Sequence, residues 1–332
     1  MATENSKCFC TIITANYLPY VLALNESLLQ FDASIRLNVL ISDKNETDSG
    51  AVSEFPNICF FFADDICRGG ISKKIKDKYQ KTDMDAFRWS MKPVFMRYLI
   101  LEKGFEKVIY IDCDVHFYGD WAFLFDALDR SNMLLSPHWR SSDPEKDFSN
   151  FILLYTSGLY NGGFVAANQK AIDALDWWAG ACEFICVKDA SKGQYVDQTH
   201  LNLLPIYFDK VEVLKHRGCN VANWNQMECR RIRGSDNKVR INGETPIVFI
   251  HFTKSTVRGI LSGNDFELNE YLRKYAKRMS RYGIDIQASA GVDGAADKKR
   301  TSRFFNSPFF KKLDKNGLIK KRIQQLAQRL FP

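Results

Sequence analysis

Several features that would assign the chain to a common protein class are absent from its 332 residues. No run approaches the roughly 20 consecutive apolar residues that a membrane-spanning helix needs. The first ten residues, MATENSKCFC, contain no basic stretch followed by an apolar one, so we expect no secretion signal and no export. With 45% hydrophobic and 26% charged residues, the composition is that of an ordinary globular protein on the cytoplasmic side.

The nine cysteines form no CxxC pair and no cluster with histidine at zinc-finger spacing. Their number is odd, which does not fit a framework of paired disulfides. We therefore predict free thiols in a reducing compartment and no structural zinc.

Glycine-rich phosphate loops are also absent, since neither GxxxxGK[ST] nor GxGxxG occurs. Residues 67–78, CRGGISKKIKDK, are glycine-containing and basic, but they do not run from a strand into a helix as such loops do. We predict a solvated loop here. A bound nucleotide would then be held by a metal that bridges its diphosphate.

Positive charge is scarce outside the C-terminus. Residues 298–332 hold eleven Lys or Arg and one acid, a net +10 against +7 for the whole chain, so residues 1–297 carry −3. A basic terminus on an acidic body does not fit nucleic-acid binding. The pattern of GLIKKRIQQLAQRLF, residues 317–331, predicts an amphipathic helix that lies on an anionic membrane surface, although packing on the core or on a partner subunit remains an alternative.

The chain does contain strand patterns that alternate with helix patterns, which predicts an α/β fold with a mostly parallel sheet flanked by helices. A helix is expected over 87–102, opening near Pro93, with a loop over 140–150 and a short helix beginning near Asp197. We predict a catalytic domain over 1–285, a linker over 286–302 and a basic amphipathic tail over 303–332.

One predicted strand ends in two aspartates, in KVIYIDCDV. Ligands of open α/β sheets collect at the carboxyl ends of the strands. Asp112 and Asp114 would repel each other there unless a divalent cation held both, and such a cation can also bridge the oxygens of a diphosphate. The pair therefore predicts a metal site.

Five motifs in order resemble the GT-A nucleotide-sugar glycosyltransferases, especially those of glycosyltransferase family 8. They are TIITANYLPYVLAL, KPVFMRYLILEKGFEKVIYIDCDV, LYNGGFVAANQ, YVDQTHLN and IVFIHF, and the resemblance covers roughly residues 8–265. It implies a GT-A fold, a Mn²⁺ or Mg²⁺ cofactor and a nucleotide-sugar donor, with UDP as the expected nucleotide. The family ending HFxGxxKPW is not reproduced, since this chain reads HFTKSTVRG.

The resemblance also implies roles for individual residues around the donor. His251 would complete the metal site of Asp112 and Asp114, and Asp197 and Gln198 would be the catalytic pair beside the anomeric carbon. The residues that would contact the donor are Thr14, Ala15, Asn16, Tyr17, Lys92, Arg97, Asp112, Cys113, Asp114, Asn161 and Lys254, with Lys215 as a further candidate for the diphosphate.

The acceptor is expected to lie against two further segments. His138 and Trp139 follow a predicted strand, and Asn223 and Trp224 belong to the amide-rich segment GCNVANWN. The expected acceptor is a hydroxyl of a lipid-linked or surface glycan, at the inner face of the membrane.

The resemblance favours transfer with retention of anomeric configuration. Inversion would require a carboxylate base, for which Asp143, Glu145 or Asp197 could serve. Two other functions stay open from the residues themselves, namely a metal-dependent nucleotide-sugar phosphohydrolase and a non-catalytic membrane adaptor.

Overall fold

The computed structural model describes residues 6–44 and 55–291. The predicted tail over 303–332 and most of the predicted linker lie outside the described residues. Within them, no helix combines the length and the apolar character that crossing a bilayer requires.

The described part of the chain forms fourteen strands. They are β1 (Lys7–Ile13), β2 (Arg36–Ile41), β3 (Ile58–Phe62), β4 (Lys107–Ile111), β5 (Val115–Phe117), β6 (Met133–Pro137), β7 (Tyr160–Asn168), β8 (Lys188–Asp189), β9 (Gln194–Tyr195), β10 (Val211–Val213), β11 (Arg231–Arg233), β12 (Val239–Ile241), β13 (Thr245–Pro246) and β14 (Phe249–His251).

It also forms eleven α-helices. They are α1 (Leu18–Leu28), α2 (Ala63–Ile66), α3 (Gly70–Tyr79), α4 (Met84–Leu101), α5 (Ala122–Ala127), α6 (Phe148–Thr156), α7 (Ile172–Phe184), α8 (Leu204–Tyr207), α9 (Lys254–Leu261), α10 (Asn269–Arg281) and α11 (Ile286–Ser289).

A seven-stranded sheet in the order β10-β6-β7-β4-β1-β2-β3 forms the centre of the fold. All its neighbouring pairs are parallel except those of β7, which runs antiparallel to both β4 and β6. The predicted α/β class with a mixed, mostly parallel sheet is confirmed. The single reversed strand brings the N-terminal end of β7 to the edge where the parallel strands end.

Both faces of this sheet are covered, because alternate residues of a strand point to opposite sides. Cys8 and Cys10 of β1 pack with α3, α4 and α7, whereas Phe9 and Ile13 pack on the other face with α1 and α5. This explains why the central strands read as nearly continuous apolar runs.

A third apolar cluster lies under α9, α10 and α11. Ile286 of α11 is buried in it, and Arg258 of α9 donates to the carbonyl of Ala290. Residues 286–289 are therefore a packed helix rather than the start of a linker, and the folded body continues at least to residue 291.

Three further expectations about elements are wrong. Helix α4 begins at Met84, capped by Asp83, and continues through Pro93 instead of opening near it. The predicted solvated loop over 67–78 is mostly helix α3, whose Ile75 is buried. Helix α6 begins at Phe148, so the last three residues of the expected loop over 140–150 are helical. The short helix expected near Asp197 is present, as a 3₁₀ turn over Thr199–Leu203 followed by α8.

Candidate active site

Two strand ends meet at the aspartate pair. Residue Ile111, at the end of β4, pairs with Phe164 in β7, and the amide of Asp112 donates to the carbonyl of Gly163 at 3.0 Å. The segment Asn161-Gly162-Gly163 therefore lies directly beside Asp112. A side chain at Gly163 would not fit, since its Cβ would lie 2.6 Å from His251 Cε1 and 2.7 Å from Asp112 Oδ2.

A two-stranded ladder of β5 and β14 brings in the histidine. His251 pairs with Val115, and the amide of Phe252 donates to the carbonyl of Asp114 at 2.9 Å. The imidazole Nε2 consequently lies 3.0 Å from Asp114 Oδ1 and 3.8 Å from Asp112 Oδ2.

These three side chains suit a divalent cation. One ligand atom from each lies within 4.8 Å of the others, and of the described residues only this group offers three such ligands. Burial alone would raise the pKa of Asp114 and lower that of His251, but their mutual attraction outweighs it, so the pKa of Asp114 is lowered and that of His251 is raised. Positive charge between these groups, from a proton or a metal ion, is strongly favoured.

A chain of amides fixes the histidine. Asn220 accepts a hydrogen bond at 3.2 Å from Nδ1 of His251 and donates at 3.1 Å to Asn161. With Nδ1 as the donor, the Nε2 lone pair faces the two carboxylates, which is the orientation that second-shell partners give to metal-ligating histidines.

A buried ion pair supports the opposite side of Gly162. Lys92 Nζ lies 3.0 Å from Asp197 Oδ2 and donates to the carbonyl of Gly162 at 2.9 Å. Burial alone would lower the pKa of Lys92, but the carboxylates of Asp197 and Asp112 raise it. Burial raises the pKa of Asp197, and Lys92 partly offsets this. The same Nζ lies 4.0 Å from Asp112 Oδ1. Lys92 therefore connects the predicted catalytic carboxylate of Asp197 to the Asp112, Asp114 and His251 group, which we call the metal cluster.

Gln198 and His138 complete the inner wall. Gln198 Oε1 accepts from the amide of Gly162 at 2.9 Å, and its Nε2 donates to the carbonyl of Ser157 at 2.6 Å. The Nδ1 of His138 donates to the carbonyl of Gly158, so its Nε2 can accept from Asn161. Burial lowers the pKa of His138 to about 3, which keeps the ring neutral.

Most of the side chains described above line a single cavity of about 310 Å³. Seven residues predicted to bind the donor or the metal, or to take part in catalysis, line this cavity: Lys92, Asp112, Asp114, Asn161, Asp197, Gln198 and His251. His138 and Trp224, which are predicted to contact the acceptor, line it as well.

Comparison with known proteins agrees with this arrangement. Residues 8–256, three quarters of the chain, match the family model described as glycosyl transferase family 8. The chain belongs to this family. The family-8 resemblance and the GT-A fold expected from the sequence are thus confirmed, and the protein is a glycosyltransferase with a DxD-like candidate metal site.

Its relatives include two uncharacterized proteins of Bacillus subtilis (strain 168). YfnF is 24% identical over 75% of this chain and 81% of its own length. YfnD is 30% identical over 60% of this chain, and the match spans 62% of YfnD.

Similar solved structures are glycosyltransferases too. Mouse xyloside xylosyltransferase 1 in its apo form is 13% identical with a TM-score of 0.48, covering 76% of this chain and 99% of that one. An active-site mutant of LgtC is 17% identical with a TM-score of 0.46, covering 74% of this chain and 86% of that one.

Besides the turn at residues 14–17, five predicted site residues of this family-8 protein lie outside the cavity lining. Arg97 forms a 2.6 Å ion pair with Asp176 of α7, which turns its side chain away from the cavity. The thiol of Cys113 is buried in the apolar cluster beneath α1. The other three outside the cavity lining are Trp139, which stacks 4.0 Å from the guanidinium of Arg217, Asn223, which is hydrogen-bonded to Thr256, and Lys254, which is exposed.

The predicted nucleoside loop lies beside the aspartates rather than in the cavity lining. Residues Ala15–Tyr17 form a 3₁₀ turn after β1, and the amide of Ala15 donates to Asp43 at 2.8 Å. Tyr17 is half-buried and lies 5.7 Å from the guanidinium of Arg88. Burial is the main cause of the raised pKa of Tyr17, and the charge of Asp114 adds to it. Thr14 donates to Asn16, which is exposed.

Sequence reasoning missed several residues at the site. Tyr110 donates to Asp112 Oδ1 at 2.7 Å, and alternation along β4 from Asp112 would have indicated it. Arg88 precedes Lys92 by one helical turn, so spacing along α4 would have pointed to it. The missed residues that line the cavity itself are Trp89, Arg140, Gly162, Gly163, Lys188, Tyr195, Val196 and Thr253.

Proposed function

We propose that the protein transfers a sugar from a nucleotide-sugar donor, with UDP as the expected nucleotide, to a hydroxyl of a lipid-linked or surface glycan. The observation that supports this best is the placement of the Asp112, Asp114 and His251 cluster in the same cavity as Asn161, Asp197 and Gln198. Charged ligands for a metal-bound diphosphate and neutral hydrogen-bonding groups for a sugar thus face one space.

The proposed cofactor is Mn²⁺ or Mg²⁺. Two carboxylates and an oriented imidazole fit such an ion, and the mutual pKa shifts of Asp114 and His251 favour positive charge at this point. When bound, the ion would supply Lewis-acid stabilisation of the departing diphosphate. Tyr110 and Asn220 hold Asp112 and His251 in the orientation that this role requires.

The proposed donor contacts divide between two sides of the metal cluster. The turn at Thr14–Tyr17 would hold the nucleoside, with the ring of Tyr17 available to stack on a base. Asn161 and Gln198 would contact the sugar, because their amides stand on the cavity wall and are held by hydrogen bonds to Gly163 and Gly162.

The proposed transfer proceeds with retention. Of the carboxylates considered as bases for inversion, Asp143 is half-buried and paired with Lys146 at 2.7 Å, and Glu145 is exposed; neither lines the cavity. Asp197 is fully buried and engaged by Lys92. None of these three candidates is therefore a solvent-facing carboxylate on the cavity wall, which supports a mechanism without a strong general base.

A metal-dependent phosphohydrolase is the second candidate, but a two-metal site would need more ligands. The described residues offer one three-ligand group. Turnover of the UDP-sugar to UMP and a sugar 1-phosphate without acceptor, as fast as transfer, would favour this alternative.

The proposal is tested by a donor screen. Thermal stabilisation of the full chain is measured with a panel of nucleotide sugars, each with and without Mn²⁺. We expect a rise in Tm for a UDP-sugar only when the metal is present, and loss of this rise in Asp114→Asn. Equal stabilisation without metal, or none for any UDP-sugar, would contradict the proposal.

A further inference from the structure

One side of the cavity carries positive charge that no role proposed above uses. Arg140, Lys188 and Trp224 line it, and the ring centre of Trp224 is 5.4 Å from that of His251. They stand on three separate segments, the loop after β6, strand β8 and the 3₁₀ turn over Asn223–Asn225.

Arg140 has no ion-pair partner among the residues that the structure describes. Its Nη1 donates to the neutral amide of Asn150 at 2.8 Å, and its Nε is buried without a hydrogen-bond partner. Burial lowers the pKa of Arg140, with no carboxylate acting against it. A partly buried guanidinium in this state favours an anion that binds from outside the chain.

Among the described residues, Trp224 provides a second hydrogen-bond donor without a partner on this side of the cavity. Its indole Nε1 is buried and has no acceptor within the described part of the chain. The amide of Asn150 accepts from Arg140 and donates to the backbone carbonyl of Trp224 at 2.9 Å, so one side chain connects the two segments that bring Arg140 and Trp224 to the same cavity.

Lys188 adds charge at the cavity mouth. It is exposed, pairs with Tyr195 across the β8–β9 ladder, and its Nζ lies 5.1 Å from the centre of the Tyr195 ring. No described carboxylate lies within 4.0 Å of this Nζ. The adjacent Asp189 pairs with Lys192 at 3.2 Å instead.

The other carboxylates near this side are also occupied. Asp143 pairs with Lys146, and Glu228 accepts from Ser142 and faces Arg217. Inside the cavity, Asp197 neutralises Lys92, and Asp112 and Asp114 face His251. The charges of Arg140 and Lys188 therefore remain uncompensated.

We propose that Arg140, Lys188 and the indole N–H of Trp224 form a subsite for an anionic group of the acceptor. The acceptor is then an acidic sugar, bearing a phosphate or a carboxylate, rather than a neutral glycan. This inference rests on the proposed function, because it concerns the acceptor of the same transfer.

The test is calorimetric binding to the full chain saturated with UDP and Mn²⁺, which fill the donor side. The probes are glucose 6-phosphate, glucuronate, inorganic phosphate and glucose. We expect the two acidic sugars to bind about tenfold or more tightly than glucose, as a charge-assisted hydrogen bond predicts. If glucose 6-phosphate binds more tightly than glucuronate, the anionic group of the acceptor is a phosphate, and if glucuronate binds more tightly, it is a carboxylate. If inorganic phosphate binds as tightly as either sugar, the subsite recognises the anion and not the sugar.

Three variants make the test specific. Lys188→Gln, which changes an exposed side chain, should weaken the binding of the acidic sugars about tenfold and leave the binding of glucose unchanged. Arg140→Gln should do the same, and Arg140→Lys should restore part of the affinity. Lys170→Gln, which changes an exposed lysine outside the cavity lining, should match the wild type.

The proposal is overturned if the acidic sugars bind no better than glucose, or if Lys188→Gln and Arg140→Gln bind them as the wild type does. Stabilisation by UDP and Mn²⁺ is measured on each variant. If it is retained while acidic sugars fail to bind, only the acceptor subsite is wrong; if the wild type shows no such stabilisation, the proposed function itself fails. A loss of both in Arg140→Gln would assign this residue to the donor.

Discussion

Gly163 is the residue at which the site has least room for change. An added Cβ would lie within 3.0 Å of His251, Asp112 and Asn161, so two proposed metal ligands would have to move. We predict that Gly163→Ala abolishes stabilisation by UDP and Mn²⁺ and lowers transfer at least about 100-fold, as expected when ligand geometry is lost. The measurement is a Mn²⁺ titration followed by Tm and by release of UDP.

Gly180 supplies the matched control. It lies inside helix α7, and an added Cβ would meet nothing within 4 Å. Alanine is the better helix former, so Gly180→Ala should leave Mn²⁺ binding unchanged and raise the free energy of unfolding by roughly 0.5–1 kcal/mol. Unaltered Mn²⁺ binding in Gly163→Ala would show that its close contacts relax without moving the ligands.

Glu228 links stability to pH at a single residue. Burial alone would raise its pKa, but hydrogen bonds from Ser142 and the charge of Arg217 outweigh it, so the pKa is lowered from 4.5. The stabilisation is therefore present above pH 4.5 and is lost as the pH falls through the folded-state pKa. We predict that Glu228→Gln is less stable than the wild type at pH 7 by about 1 kcal/mol and that this difference narrows at pH 4. Urea unfolding at both pH values measures it, and a constant difference would contradict the assignment.

Helix α4 decides which basic side chains can reach the site. Lys92 and Arg97 are five residues apart, which places them roughly 140° apart around the helix, whereas Arg88 and Lys92 differ by about 40°. Lys92 accordingly faces Asp197, and Arg97 faces Asp176 on the outer side. The helix therefore cannot present both Lys92 and Arg97 to one donor.

This geometry predicts different effects of two equivalent substitutions. Lys92→Met leaves Asp197 buried without its partner and should destabilise the fold by about 3–5 kcal/mol. Arg97→Met removes a surface pair and should cost about 1 kcal/mol or less, with unchanged binding of UDP and Mn²⁺. Chemical unfolding and the metal titration measure both.

A double variant separates stability from function. Lys92→Met with Asp197→Asn removes the unpaired charge and should recover much of the lost stability without recovering transfer. Recovery of transfer in the double variant would mean that neither charge takes part in the reaction, and reduced metal binding in Arg97→Met would restore its predicted donor role.

At the level of elements, the sequence predicted what depends on local pattern. The strand before Asp112, the class of sheet and the position of His251 beside the aspartates follow from apolar alternation, the DxD spacing and the family motifs. What it missed depends on packing between distant segments. Local preference predicts a helix start at Pro93, because its ring is best tolerated in a first turn, yet the buried apolar contacts of α4 stabilise a helix that continues through it.

The same limit applies to the site. Arg140 and Lys188 belong to no motif, and they meet only because the loop after β6 and the β8–β9 ladder border the same cavity. Arg97 matched a family position in sequence, but its direction was fixed by the helix face and by Asp176 across the α4–α7 contact.

For the whole molecule, the end of the folded body is set by burial and not by composition. A truncation after residue 302 keeps α11 and should have the Tm of the full chain. A truncation after residue 285 removes Ile286, which is 3% exposed, and the contact of Arg258 with Ala290, so it should lose about 2 kcal/mol or more. Equal thermal stability of the two truncations would show that α11 contributes nothing.

The tail over 303–332 is predicted to attach this body to an anionic membrane. Its seven Lys or Arg from 311 onward alternate with Ile319, Ile323, Leu326 and Leu330, and each near-surface cation contributes about 1 kcal/mol. In vesicle flotation, the full chain should bind phosphatidylserine-containing vesicles, dissociate from them at high salt and not bind neutral phosphatidylcholine vesicles.

The truncation after 302 should lose this binding but keep transfer to soluble acceptors, because the proposed catalytic residues all precede residue 255. Replacing the four apolar residues with serine, at unchanged charge, should weaken flotation and leave transfer intact. Loss of all activity on truncation would favour an adaptor whose function resides in the tail, and undiminished flotation would move the membrane contact onto the body.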